Sequence, residues 1–209
     1  MIPKLSWRGA VCSIQPRIRL LRSFDQAHHS YHGYVIGVDG VLAEDTLQFL
    51  VAVGKAAHAK HAFRIGMEIS GEGIPIGHSR LETADLYKIS KLTTHAPTPP
   101  HSPSPPPWHD LAPELPIYRH RRHRRLDPRT YAAKCTTCIW GCRMPVEMII
   151  DQWNPSQKRY RYETFCYGPK SCLLYRAGKN RVVPGRRGMS WVEEDWVDEQ
   201  ATAHRGENE

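Results

Sequence analysis

The sequence predicts a mainly β protein in two parts, an N-terminal five-stranded barrel and a small C-terminal cysteine-rich β module that holds a metal. Three observations carry this expectation. Short runs of alternating or continuous apolar residues recur between residues 5 and 95, separated by turn residues. Nine prolines crowd into residues 96–116 and divide the chain. Five of the six cysteines then fall between residues 135 and 172.

The first run, "WRGAVCSIQPRIRLL", sets Ile14, Ile18 and Leu20 against Arg17 and Arg19, the period of two that a half-buried strand requires. A His-rich turn leads into "YHGYVIGVDG", which Asp39-Gly40 closes as a turn pair. "TLQFLVAVG" is apolar enough for a central strand, and the alanine-rich "KAAHAKHAF" favours helix. "IGMEISGEGIPI" returns to strand, and "ADLYKISKLTTH" completes five strands with one helix between the third and fourth.

That order over residues 5–95, with "FRIGMEISGEG" where the helix gives way to a glycine-led strand, resembles the OB-fold. The resemblance implies a binding module for single-stranded nucleic acid. Its binding face includes the second and third strands, which makes Tyr34 a candidate to stack on a base. Arg17 and Arg19 on the first strand are candidate phosphate contacts.

Proline lacks an amide donor and locks φ, so 96–116 is expected to be an extended, unpacked spacer. The expected boundaries are thus 1–95 for the barrel, 96–116 for the linker, 117–188 for the basic cysteine-rich module and 189–209 for an acidic, Trp-containing tail.

Cys135-x2-Cys138 has knuckle spacing, and Cys166-x5-Cys172 follows a strand–turn–strand pattern around "NPSQ". Two cysteine pairs flanking a hairpin resemble a zinc ribbon over residues 130–175, in which four thiolates hold Zn²⁺. The second pair is wider than that pattern. Cys142 is a fifth candidate, and Cys135-x2-Cys138-x3-Cys142 also suits a 4Fe–4S cluster with Cys166 or Cys172 as the remaining ligand. Zinc and iron–sulfur both stay open at this point.

The net charge is +8, unevenly spread. Residues 119–187 carry 17 Lys+Arg against 4 Asp+Glu, whereas 188–209 carry 1 against 7. Such a field favours phosphate-bearing partners. "RHRRHRR" supplies Arg119, Arg121, Arg122, Arg124 and Arg125, suited to bidentate phosphate contact. In "KRYRYETFCY", Lys158, Arg159 and Arg161 alternate with Tyr160 and Tyr162, a pattern that grips phosphates while rings stack on bases. In the tail, the tryptophans are expected to dock inward and the acids to face the basic patch.

No nucleotide-loop, dinucleotide, metalloprotease or serine-hydrolase motif is present, so an enzymatic role rests on the cysteine site alone. The start lacks a signal-peptide run and no long apolar stretch exists, so a cytoplasmic protein without membrane contact is expected. The expected function is a non-catalytic, metal-stabilised protein that binds RNA or single-stranded nucleic acid, alone or within a ribonucleoprotein. An iron–sulfur redox or sensor protein and a module docking on a larger complex are the alternatives.

Overall fold

A computed structural model describes residues 3–24, 26–95 and 106–209. Strand β1 (Leu5–Ser23) is the longest, with 19 residues, and it organises the molecule. It pairs antiparallel with β2 (Gln26–Leu42) along its whole length and with β4 (Glu68–Pro75) over Leu5–Ala10. β2 pairs with β3 (Asp45–Val53), which meets β5 (Leu86–Thr94) in parallel at Val51↔Leu86. β5 returns antiparallel to β4. The five strands therefore close a ring in the order β1-β2-β3-β5-β4-β1, with helix α1 (Lys55–His61) between β3 and β4.

Side-chain alternation explains the closure. Ile14, Ile18 and Leu20 of β1 are buried, with Ile36 and Val38 of β2, Phe49 and Val51 of β3, Ile69 of β4 and Leu86 of β5. Gly9 and Gly40 lie where β1 crosses β2, and a Cβ on either would strike the other strand's backbone. Register shifts at Val11/Ser13 and Arg17/Ile18 bend β1, as bulges do, so one strand can curl through two pairings.

The second half comprises α2 (Leu115–Arg121), β6 (Arg124–Arg125), α3 (Pro128–Thr130), β7 (Gly141–Ile149), β8 (Lys158–Cys166), β9 (Arg181–Pro184), β10 (Ser190–Glu193) and α4 (Asp195–Thr202). β7 and β8 form the expected hairpin, with β6 on its outer edge. Val146–Ile149 of β7 run parallel to Leu20–Ser23 of β1, so ring and hairpin share one eight-stranded sheet. They also share one core, in which Ile14 and Leu20 join Met144, Val146, Phe165 and Tyr167. No helix among the described residues is long and apolar enough to cross a membrane.

Two boundaries differ from expectation. The stretch 96–105 lies outside the described residues, but 106–116 is packed rather than extended into solvent. The Tyr34 hydroxyl donates to Pro113 O at 2.9 Å, His58 Nε2 bonds Ala112 O at 2.9 Å, and Arg64 pairs with Asp110 at 2.7 Å. Residues 189–209 are not a separate tail either, because β10 pairs with β9 and α4 closes over β6. Buried charge drives that closure. Arg125, 1% exposed, bonds Asp198 and Asp195, and Arg22 bonds Glu163 and Glu193. Burial alone raises the Glu163 carboxyl, but Arg181, Arg22 and Arg161 outweigh it and hold it below the usual carboxylate range.

Candidate metal centre and nucleic-acid interface

The cysteine pairs meet at the open end of the β7–β8 hairpin, where Gly141 at the start of β7 pairs with Cys166 at the end of β8. Asp127 caps α3 by accepting from Thr130 N at 2.8 Å. A π-helical turn, Tyr131–Cys135, then delivers Cys135. Cys138 N donates to Cys135 O at 3.2 Å and Gly141 N to Cys138 O at 3.0 Å, which folds the knuckle back on itself. From β1, the Gln15 amide donates to Cys135 O at 2.8 Å and Cys138 O at 3.0 Å, and accepts from Tyr131 Oη at 2.7 Å. A Cβ at Gly141 would collide with Cys135 O and Gln15 Nε2, so only glycine lets the three segments meet.

Cys166 stands at the end of β8, and Gly168 N donates to its sulfur at 3.4 Å. Cys172 follows on a turn closed by Cys172 N to Pro169 O, 3.2 Å. Cys135, Cys138, Cys166 and Cys172 line one cavity of about 10 Å³ with Leu126, Trp108 and Tyr175. Among the described residues no group of three or more His, Cys, Asp or Glu side chains is arranged to hold a metal ion. Burial and the neighbouring Cys138, Cys166 and Cys172 push the Cys135 thiol up to about 12, and burial pushes Cys138 to about 11. Cys142 is elsewhere. Its sulfur is fully buried in the main core and donates to Pro16 O at 3.4 Å.

Three arginines surround the Cys166 end. Arg124 Nη2 donates to Pro169 O at 2.8 Å and its guanidinium lies 3.9 Å over Tyr175. Arg121 Nε donates to Tyr167 O at 2.8 Å, and Arg205 Nη1 to Tyr167 O and Gly168 O at 3.0 and 3.1 Å. Four buried guanidinium nitrogens in this group have no acceptor among the described residues: Arg121 Nη2, Arg124 Nε, and Arg205 Nε and Nη2. Burial raises the Cys166 thiol, and Arg124 is the largest opposing influence. The chain's last residues also clasp the loop between Cys166 and Cys172. Ser171 N donates to Glu207 O, Ser171 Oγ to Asn208 Oδ1, and Lys170 Nζ to Arg205 O, each at 2.9 Å. That clasp supports the loop's extra length.

Several expected nucleic-acid contacts are spent internally. Arg17 grips the Glu82 carboxylate with two Nε contacts of 2.9 and 3.0 Å, and Arg19 donates to Leu81 O at 3.1 and 2.8 Å. Tyr34, 1% exposed, stacks near His58 in the core and does not present a ring to a ligand. Arg125 is the buried partner of Asp195 and Asp198. Lys158 pairs with Glu147 at 2.6 Å, Arg161 donates to Glu163 at 2.7 Å, and the Tyr162 hydroxyl donates to Ser79 O and Glu82 O. Arg121 and Arg124 fold over the cysteine loop as described.

Arg119, Arg122 and Arg159 remain outward, with no carboxylate partner among the described residues. Arg119 lies 5.0 Å over Tyr31. Arg159 and the half-buried Tyr160 border a shallow pocket with Arg80. Of the tail tryptophans, Trp191 is half-buried and Trp196 is 52% exposed, and of the acids Glu193 and Asp198 are buried while Glu194, Asp195 and Glu199 stay exposed. Gln15, Arg143 and Arg205 belong to the region and were not expected there. Gln15 sits in an apolar strand pattern, and only its isolation among apolar neighbours marks it.

No family model, curated protein or solved structure matches the chain.

Proposed function

We propose that this chain is a metal-stabilised protein that binds RNA or single-stranded nucleic acid without catalysis, its ring an OB-fold and its cysteine module a zinc-ribbon-like site. The observation that carries the binding reading is where the charges go. Glu163, Glu193 and Asp198 are consumed by Arg22, Arg125 and Arg181 in the interior, and Asp195 pairs with Arg125 from the surface. None of these acids covers Arg119, Arg122 or Arg159, which stay outward and able to face phosphates.

The donor set supports a metal reading, since four thiols line one cavity. Cys135, Cys138, Cys166 and Cys172 would be the ligands, and the four unpartnered guanidinium nitrogens beside them favour a site that carries negative charge. A tetrathiolate around one divalent ion carries a net charge of about −2, which would offset Arg121, Arg124 and Arg205. Cys142 lies in the main core away from this cavity, which favours one zinc on the other four thiols over a 4Fe–4S cluster on Cys135, Cys138 and Cys142. Cys142 is left out of the ligand set. Bound zinc would supply structural stability to a small module and no redox chemistry.

The test pairs metal analysis with binding. One zinc per chain and salt-sensitive binding of single-stranded RNA or DNA are the expected results. Iron in several equivalents would return the iron–sulfur reading, and absence of nucleic-acid binding at low salt would overturn the function. A second reading, docking on a larger complex, is favoured by one observation: Val182 and Val192 pair across the β9–β10 hairpin at 50% and 40% exposure, with Met189 at 56% beside them.

A further inference from the structure

A second cavity, of about 430 Å³, lies where the ring faces the cysteine knuckle. Gln48 and Phe49 of β3 form one wall, and Thr137 of the knuckle with Arg143 of β7 form the other. Ser13 and Gly37 lie at the crossing of β1 and β2 between them. A Cβ at Gly37 would strike the Ser13 hydroxyl and approach Cys12 Sγ at 3.0 Å, so the absent side chain keeps this part of the cavity open.

Among the described residues Arg143 is the only cation in the lining and Asp85 the only anion. Arg143 is exposed, pairs with no carboxylate among the described residues, and is held flat by Tyr162, whose ring centre is 4.1 Å from the guanidinium carbon. No second ring covers its other face among the described residues. One oxygen of Asp85 already accepts from Leu50 N at 2.7 Å. A phosphate inside would meet that carboxylate, whereas a neutral planar heterocycle would meet a guanidinium plane and an edge of amide and hydroxyl groups. Phosphates are served outside, where Arg80 and Arg159 border the neighbouring surface.

We infer that this cleft takes one unstacked nucleobase of a single-stranded chain, stacked on Arg143 and hydrogen-bonded by Gln48 and Ser13, with Thr137, whose hydroxyl is bonded to His109 Nε2 at 2.9 Å, as a wall. The inference rests on the nucleic-acid reading and adds a site to it. Because Thr137 lies between Cys135 and Cys138, and Gln15 pins that turn to β1, one wall of the cleft exists only while the knuckle is formed. The protein would then read a base through its metal module, while its surface arginines hold phosphates without regard to sequence.

The test uses the full chain loaded with zinc and three fluorescent or competing probes. These are a single strand of about 12 nucleotides, the same strand with abasic sites throughout, and nucleoside monophosphates. The intact strand should bind about tenfold more tightly than the abasic one, the size expected for one stacked base. Arg143→Ala and Gln48→Ala should each remove that difference and leave abasic binding and the salt slope unchanged. Arg159→Ala should weaken both strands alike. If Arg143→Ala and Gln48→Ala bind both strands as the parent does, the base cleft is overturned while the nucleic-acid reading stands. If a nucleoside monophosphate binds as tightly as the strand, the single-strand ligand is overturned in favour of a free nucleotide. If the parent binds no strand at low salt, the underlying function fails instead.

Discussion

The side-chain amide of Gln15 donates to the carbonyl of Cys135 at 2.8 Å, joining residues 120 positions apart. Gln15 is 8% exposed and also serves Cys138 O and Tyr131 Oη, so one ring side chain fixes the turn that carries two thiols. Replacing Gln15 by Leu keeps the volume, leaves Tyr131 Oη without its acceptor and takes one of two donors from Cys135 O and Cys138 O. The expected loss is about 1–3 kcal/mol of stability, the cost of one buried unsatisfied group. Urea unfolding measures it, and an unchanged midpoint would mean the knuckle holds its shape without the ring.

The cysteines should separate into two classes. Cys135→Ser, Cys138→Ser, Cys166→Ser and Cys172→Ser should each lower bound metal well below one equivalent. Cys142→Ala should keep its metal and lose about 1–2 kcal/mol through lost packing in the core. Elemental analysis of the five purified variants decides this, and metal loss in Cys142→Ala would make that thiol a ligand.

Removing residues 203–209 should weaken metal binding about tenfold or more, because it takes away Arg205 and the clasp on the Cys166–Cys172 loop. Competition with a chromophoric chelator reads the change. Arg205→Lys should restore little of it, since an ammonium cannot reproduce the two-carbonyl contact at Tyr167 and Gly168.

Acid should destabilise the fold through a pair of histidines. The His29 and His123 rings lie 4.7 Å apart, faced by Arg22, Arg122, Arg181, His28 and Glu163. Burial first, then Arg22, pushes His29 down to about 4, and burial first, then His29, pushes His123 well below the usual range. With folded values below the unfolded ones, the unfolded chain takes protons first as pH falls. Stability present above the ordinary histidine range is therefore lost from there down to about 4. His29 alone should cost about 2 kcal/mol at about pH 5. Unfolding midpoints should drop between pH 7 and 5, and His29→Asn should flatten that slope.

Arg122→Ala and Arg159→Ala together should reduce the dependence of nucleic-acid affinity on salt, by about 0.7 per phosphate contact for a single strand. Affinity titrations over several salt concentrations measure it. An unchanged slope would put the phosphates elsewhere.

The ring was legible because its signals are local. Ile14, Ile18 and Leu20 alternate with arginines and alanines announce α1, although Asp39-Gly40, expected to be a turn, runs on inside β2 and the turn falls at 43–44. The β7–β8 hairpin was legible for the same reason. The parallel pairing of Leu20–Ser23 with Val146–Ile149 has no local signature, since it joins segments more than a hundred residues apart. The fate of the arginines was hidden in the same way. Arg125 looks identical to Arg122 within "RHRRHRR", yet Asp198, 73 residues on, draws one inside and leaves the other in solvent. Arg17 and Arg19 alternate as surface residues should, but the loop at Leu81 and Glu82 folds over them. Tyr34 and the packed half of the proline-rich stretch hide each other, and neither is visible without its partner.

β1 closes the ring at one end and pairs with β7 at the other, so the hairpin of the second half lacks part of its sheet and core without the first half. Of two separately produced fragments, 1–95 and 106–209, the second should be poorly folded alone and should fold on mixing with the first into a non-covalent heterodimer. Because ring and hairpin share one core, a chelator that unravels the knuckle should melt the ring in the same transition, as a single cooperative event.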